Sequence, residues 1–525
     1  MNFYSRISVL MLLAVFGLNT GCFSTKRSAI EENSPNQPAA RREFRAAWVA
    51  TVDNIDWPSK KGLTTAEQQA EILAILDTAA ALKLNAIVFQ ARPQCDAFYK
   101  SDLEPWSYFL TGKQGEAPEP YYDPLQFWIT EAHKRGLELH AWFNPYRAHH
   151  PQGGELSSHS IVKQKPELAR ELNDGYYWLE PADPRTREHS LAVILDVVRR
   201  YDVDGVHLDD YFYPYPDYHN GRDFPDDANW QKYQQGGGKL SRGDWRRDQV
   251  NCFVEELYRR VKNEKKFVKV GISPFGIWRP GYPDGVEGFD QYNQLYADAR
   301  LWLNQGWIDY FTPQIYWRID QFQRSFPVIL SWWHRENQQK RHLWPGLAIF
   351  NMRDSSGVQE NINQIMVTRG IEAESAGEIL FSMKQLLQNR FGITSALQAG
   401  PYRDDALVPP SPWLDQQAPA MPVVSLNRLE DKLKIRWSPA SDNSVFRWVI
   451  YYHYNHTWRY EILNGGMREY TLEAQYPLAR RQRNNGLEAD SSSIEMRPVT
   501  QIAVSAVSRT GVESPRRILY PARNE

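Results

Sequence analysis

Between residues 43 and 395, short runs of apolar and β-branched residues alternate with amphipathic stretches of helical period. Eight such runs stand out, at 44–52, 86–92, 137–143, 205–211, 268–274, 309–316, 345–350 and 378–383. Near-continuous apolar character over so few residues suits strands buried on both faces. The segments between them carry helix signals. Thr64-Thr65-Ala66-Glu67 is a capping box ahead of a stripe made by Ile72, Leu73, Ile75, Leu76 and Ala79. Asp123-Pro124 opens another helix with proline at its first position, and Lys134-Arg135-Gly136 closes it with cations and a glycine. Further helical stretches cover 187–201, 245–261 and 294–305. Strand–helix alternation predicts a parallel sheet, and a count of eight predicts an α/β fold of the closed (β/α)8 TIM barrel type over residues 43–398. An open doubly wound sheet is the competing architecture, but no GxGxxG follows the first strand.

The pattern changes at both ends of this region. Residues 399–420 are a Pro-rich linker. Short alternating runs at 432–437, 447–453 and 501–507 then predict a small all-β sandwich over 421–525. Leu433-Lys434-Ile435-Arg436-Trp437 and the segment from Ile502 to Gly511 resemble early and late strands of a fibronectin type III domain. At the N-terminus, Arg6, an apolar run over 7–18 and the small pair Thr20-Gly21 read as a signal peptide over 1–21. The run is too short for a comfortable membrane span. Leu18-Asn19-Thr20-Gly21-Cys22 resembles a bacterial lipoprotein box, which implies a lipid on Cys22 and a membrane anchor. Asn19 stands where that pattern carries Leu, and ordinary signal cleavage nearby is the alternative. Residues 22–42 then form a tether.

Composition narrows the function. A formal net charge of -2 points away from nucleic acid as a partner. Aromatic residues make up 13% of the chain, more than a core alone needs, and leave rings for a binding cleft. Beyond Cys22 only Cys95 and Cys252 remain, too few for a disulfide framework. Neither HExxH nor CxxC is present, and neither a metal nor an organic cofactor is expected.

In a barrel of this kind, chemistry collects where strands end and βα loops begin. The run 204–214 places Asp209 and Asp210 beside Tyr211, Phe212 and Tyr213 at such an end. Carboxylates beside aromatic rings suit glycoside hydrolysis, which needs acids for proton transfer and flat faces for sugars. The rhythm His207, Asp209, Tyr211 turns Asp209 toward the barrel axis, with Asp210 on the opposite face unless the strand has already ended. Hydrolysis also needs a second carboxyl group. Glu104, flanked by Trp106 on the loop after the second strand, is the first candidate; Glu180, Asp210 and Asp56 are the alternatives. Arg92, Asn144, Tyr146, Arg147, Tyr211, Gln314, Tyr316 and Trp317 are candidate substrate-binding residues at the same rim. His140 and His207 precede the strand ends and read as interior polar residues.

Several separated blocks occur in order: residues 43–52, Gln90-Ala91-Arg92-Pro93, Asp96-Ala97-Phe98-Tyr99 with Glu104-Pro105-Trp106-Ser107, residues 141–147, 204–214 and 271–276, and Pro313-Gln314-Ile315-Tyr316-Trp317. Together they resemble the glycosyl-hydrolase-like 10 family over about residues 41–395. The resemblance implies a TIM barrel with glycosidase activity, often on bacterial envelope lipoproteins and in some members linked to peptidoglycan glycan. Cys95 replaces a more usual small residue, and Glu180 stands where Asn or Asp is expected. The 204–214 block also resembles chitinase-like barrels, but their catalytic Glu position is Tyr211 here, so their substrate-assisted mechanism does not transfer. The expectation is an exported, lipid-anchored glycoside hydrolase of the bacterial cell envelope. Asp209 would be nucleophile or general base and Glu104 the proton donor. A polysaccharide is the partner: peptidoglycan glycan first, imported dietary or host polysaccharide second. The alternatives are a non-catalytic glycan-binding lipoprotein and a scaffold acting through the C-terminal sandwich.

Overall fold

A computed structural model describes residues 39–441, 445–477 and 495–521. The signal segment, Cys22 and most of the tether lie outside the described residues. Among those described, no helix is long and apolar enough to cross a membrane.

The apolar runs become eight parallel strands: β1 Glu43–Val49, β2 Ala86–Arg92, β3 Glu138–Phe143, β4 Gly205–Leu208, β5 Lys269–Ile272, β6 Tyr310–Phe311, β7 in two pieces, His342–Leu343 and Gly346–Leu347, and β8 Ala376–Leu380. Neighbours in sequence pair in space, and β1 also pairs with β8, Glu43 opposite Ala376. β7 closes the ring. Its first piece pairs with β6 and its second with β8. Pro345 between them has no N–H to give the ladder, but its carbonyl accepts from Ile379 N at 3.1 Å. This strand begins earlier than the predicted run at 345–350, because the ladder continues across the proline.

Alternating side chains fill the ring. Phe44, Trp48, Val88, Trp142, Tyr310, Trp344 and Ile379 form one interior cluster, with Phe44 and Trp344 stacked at 3.9 Å. Such large rings fit because their neighbours are small: a Cβ on Gly271 would stand 1.9 Å from the Tyr310 ring. The helices cover the outside. Thr65–Ala81 starts with the predicted capping box at Thr64 and buries Ile72, Ile75, Leu76 and Ala79. Pro124–Lys134 is capped by Asp123. After β3 the chain makes a small antiparallel sheet of Arg147–His149, Tyr177–Leu179 and Ala169–Glu171, which overhangs the ends of the barrel strands.

The C-terminal region is all-β. Val423–Leu429, Lys432–Ser438 and Glu469–Glu473 make one sheet; Thr457–Asn464, Arg447–Tyr454, Gln501–Val507 and Arg517–Leu519 make another. Leu433, Ile435 and Trp437 of the first pack against Trp448, Ile450 and Val504 of the second. The reverse face of the second sheet, with Val449, Tyr451 and Ala503, packs on Ala40 and Leu407. Burial on both faces explains why residues 447–452 are almost uniformly apolar. The region docks where the barrel strands begin. Arg509 donates to Asp204 Oδ1 at 2.8 Å and Asp202 Oδ1 at 2.6 Å, just before β4. Asn464 donates to the carbonyls of His133 and Lys134, just before β3. The opposite end of the barrel stays open.

Candidate active site

The barrel interior is polar at its base and acidic at its open end. At the base, Lys269 Nζ pairs with both Glu138 oxygens at 2.9 and 3.0 Å. Bond directions above this pair follow from one donor. The Trp48 indole N–H can only donate, so His207 Nε2, 3.2 Å away, accepts. His207 therefore carries its proton on Nδ1 and donates to the Tyr310 hydroxyl at 3.0 Å. Tyr310 in turn donates to His140 Nδ1 at 2.8 Å, and His140 Nε2–H donates to Glu138 at 3.0 Å. Burial holds the His207 pKa well below the usual histidine range, so its ring is neutral. His140 and His207 are thus satisfied interior groups, as their positions in the strands suggest.

At the open end, β4 stops at Leu208, so Asp209 and Asp210 are not held on opposite faces. Both line one cavity of about 210 Å³. Asp209 Oδ2 accepts from Trp142 Nε1 at 3.0 Å and lies 3.3 Å from Asn144 Nδ2. The Asn144 orientation is fixed because its Oδ1 accepts from Arg147 N at 2.8 Å, leaving only its donor end for Asp209. Asp210 accepts from the Tyr215 hydroxyl and is also hydrogen-bonded by the Gln314 side chain. Arg147 completes the wall, anchored by Nε on the Pro93 carbonyl at 2.9 Å and lying 4.9 Å over the Tyr211 ring.

Burial dominates the electrostatics. It pushes the Asp209 carboxyl up to about 7, with Asp210 beside it adding to the rise; Arg147, the Trp142 indole and the Tyr211 N–H pull the other way. Burial also raises Asp210, opposed by its bonds to Tyr215 and Gln314. Two like charges in one buried cavity favour a state in which the pair keeps a proton near neutral pH. Gln90 adds a donor. Its Oε1 accepts from Thr51 N and Val52 N, both at 2.9 Å, while its buried Nε2 has no partner among the described residues. Trp48, Tyr211, Tyr316 and Phe381 supply ring surfaces in the cavity wall.

Of the residues predicted from sequence, Asp209, Asp210, Arg147, Tyr211, Gln314 and Tyr316 meet around this cavity. Asn144 reaches it through Asp209. Glu104 does not line it. Its carboxylate is buried in a two-pronged ion pair with Arg92 (Nε–Oε2 2.7 Å) and bonded to His189 at 2.9 Å. Against the cost of burial, Arg92 and His189 hold Glu104 down to about 2, so it carries no proton to donate. Its place in the ion pair, outside the cavity, sets Glu104 apart from the acid role expected of it. Arg92 is likewise committed to Glu104 and the Asn144 carbonyl, and props the loop behind the cavity. Tyr146 is buried against Phe253 rather than facing the cavity. Trp317 lines a neighbouring hollow. Of the other carboxylates, Glu180 is tied to Arg170 and Asn229, and Asp56 to Ser382 and the backbone of Ala50 and Lys384. Trp48, Trp142 and Tyr215 belong to the site without having been chosen for it. The alternation that points Asp209 inward also points Trp142 and Trp48 inward, and that signal was available.

A (β/α)8 barrel whose strands deliver paired carboxylates and aromatic walls into one cavity is a glycoside hydrolase in architecture. The chain belongs to the Glycosyl hydrolase-like 10 family, whose model matches residues 43–362. It is 41% identical over 421 residues to Glycosyl hydrolase YngK of Bacillus subtilis (strain 168), covering 77% of this chain and 81% of that protein. It is 33% identical over 382 residues to Glycosyl hydrolase DigH of Escherichia coli (strain K12), covering 67% and 85%. Among solved structures, alpha-L-fucosidase isoenzyme 2 from Paenibacillus thiaminolyticus matches with a TM-score of 0.44 and 11% identity, over 73% of this chain and 52% of that one.

Proposed function

We propose that this glycoside hydrolase cleaves peptidoglycan glycan strands with Asp209 and Asp210 as its working pair. The observation that carries the reading is the convergence of both carboxylates on one cavity. Their partners divide the labour. Asp209 Oδ2 is bound by N–H donors, which can only favour the anion, so Asp209 faces the anomeric carbon as nucleophile or general base. The Tyr215 hydroxyl on Asp210 can accept as readily as donate, so it tolerates a protonated acid. Asp210 gives its proton to the departing glycosidic oxygen as the carbon–oxygen bond breaks. The anomeric carbon bonds either to Asp209, from which water then releases it, or directly to a water that Asp209 deprotonates. Arg147 and the Trp142 N–H stabilise the charge on Asp209 as the oxocarbenium-like centre forms.

Substrate and location rest on the N-terminal pattern. A signal over 1–21 with lipidation at Cys22 would hold the barrel against the cell wall, at the envelope membrane. We read the C-terminal sandwich as a fibronectin type III-like spacer on the closed end of the barrel. Reducing-end release from purified glycan strands tests the reading, using wild type, Asp209→Asn and Asp210→Asn. Each substitution should lower the rate at least 10³-fold, by order of magnitude. Only Asp210→Asn should recover activity on aryl glycosides whose leaving group needs no proton. Equal release by all three proteins sinks the assignment.

A further inference from the structure

Asp210 follows the end of β4 at Leu208, so the ladder does not fix the direction of its side chain. Two side chains from separate elements do, Gln314 and Tyr215.

Gln314 follows β6 on backbone that is tied on both sides. Its N–H donates to the Pro274 carbonyl at 3.0 Å, and it bridges Phe275 on one side and Gly346 on the other. The packing leaves it no slack: a Cβ on Gly276 would stand 2.4 Å from the Gln314 carbonyl oxygen. The side chain is settled too. Nε2 donates to the Ser273 carbonyl at 2.9 Å, and a carbonyl can only accept, so the amide orientation is fixed. The bond from this amide to Asp210 favours the carboxylate, which identifies it as the second N–H of the same nitrogen. Both donors of Gln314 are therefore committed within the protein, and neither is left for a sugar. Tyr215 comes from the loop after β4. Its hydroxyl bonds Asp210 Oδ2, while Phe289 at 5.1 Å and Tyr211 at 5.7 Å hold its ring.

We propose that Gln314 and Tyr215 are positioning residues for Asp210, which fix its carboxyl between them and aim its proton at the departing oxygen. The inference rests on the reading of Asp210 as proton donor and says what makes it one. As the proton crosses to the glycosidic oxygen, Asp210 becomes a carboxylate. The Gln314 N–H and the Tyr215 O–H already point at it, so their bonds strengthen in the transition state without reorganisation. The other titratable groups that face Asp210 among the described residues are Asp209, Arg147, Tyr211 and Tyr316.

Gln314→Leu and Tyr215→Phe, measured beside wild type and Asp210→Asn, test the proposal. Each should lower kcat on glycan strands about 10- to 100-fold with KM nearly unchanged. Each should lose much less on aryl glycosides whose leaving group needs no proton. Loss of a donor to the anion weakens the acid, so the alkaline limb of the pH–rate profile should move to higher pH. An infrared titration of the Asp210 carboxyl in the Asp209→Asn background reads the same upward shift without turnover. Tyr215→Phe removes one oxygen from a half-buried ring, and keeps the test open if Gln314→Leu does not fold. A midpoint unmoved in the folded variants, or an equal loss on both substrates, overturns the positioning role. A moved midpoint while Asp210→Asn cleaves strands at the wild-type rate would uphold the hold on Asp210 and remove it as the donor. An unmoved midpoint with Asp210→Asn active only on aryl glycosides would do the reverse.

Discussion

Asp209 couples catalysis, stability and pH through one buried carboxyl. As the base or nucleophile it must be ionised, so cleavage should rise with pH through about 7, the value to which burial and Asp210 push it. In Asp209→Asn that limb should vanish from the residual rate, which a pH–rate profile will read. Stability has the opposite slope. The folded pKa lies above the usual 3.8, so between about pH 4 and 7 the folded state keeps a proton that the unfolded chain has released. This group's contribution is fully present below about pH 4 and is lost as pH rises through about 7. Asp209→Asn should therefore resist urea better than wild type at pH 8 and equally at pH 3.5, a comparison that a pair of denaturation curves settles. Glu104 behaves differently. Glu104→Gln leaves the Arg92 guanidinium buried without its anion and should cost about 3–5 kcal/mol in the same assay, with activity falling only as folded protein is lost.

Strands and loops decide which side chains reach the cavity. β3 carries Trp142 two residues before Asn144, and both end on Asp209. Trp142→Phe keeps the ring but removes a donor that favours the anion, so the acid limb of the profile should move to higher pH, with kcat down about 10-fold. An unmoved limb would show the indole N–H to be structural packing alone. The strand pattern in the sequence located all eight barrel strands, because parallel strands buried on both faces must be apolar throughout. It began β7 at Pro345, whereas the paired neighbours show the ladder starting at His342 and passing the proline on both sides. It also extended β4 to Tyr211. Where a strand stops depends on when its neighbours stop bonding to it, and that stop lets Asp210 join Asp209.

The molecule separates its duties along the barrel axis, with the cavity at one end and the C-terminal sheets at the other. Arg509 bridges the parts through Asp204, whose pKa is held far below the usual range by Arg509 and His133 despite complete burial. Arg509→Met should therefore lower the unfolding free energy by about 2–3 kcal/mol while leaving kcat/KM on glycan strands unchanged. A matching loss of activity would mean that the sandwich sets the geometry of the mouth. If the lipid anchor is correct, Cys22→Ser should move the protein from the membrane fraction to the soluble one without altering its rate. Local chemistry in the chain was sufficient for the alternation of strand and helix, the acidic end of the strand before Tyr211, and the all-β tail, since periodicity and residue type are properties of neighbours in sequence. It was insufficient for choosing among the carboxylates. Glu104, Asp56 and Asp210 all follow strands, and only folding reveals that the first meets Arg92, the second meets Ser382, and the third opens onto the cavity with Asp209. Partners that lie far apart along the chain determine whether an acid is neutralised or left to react.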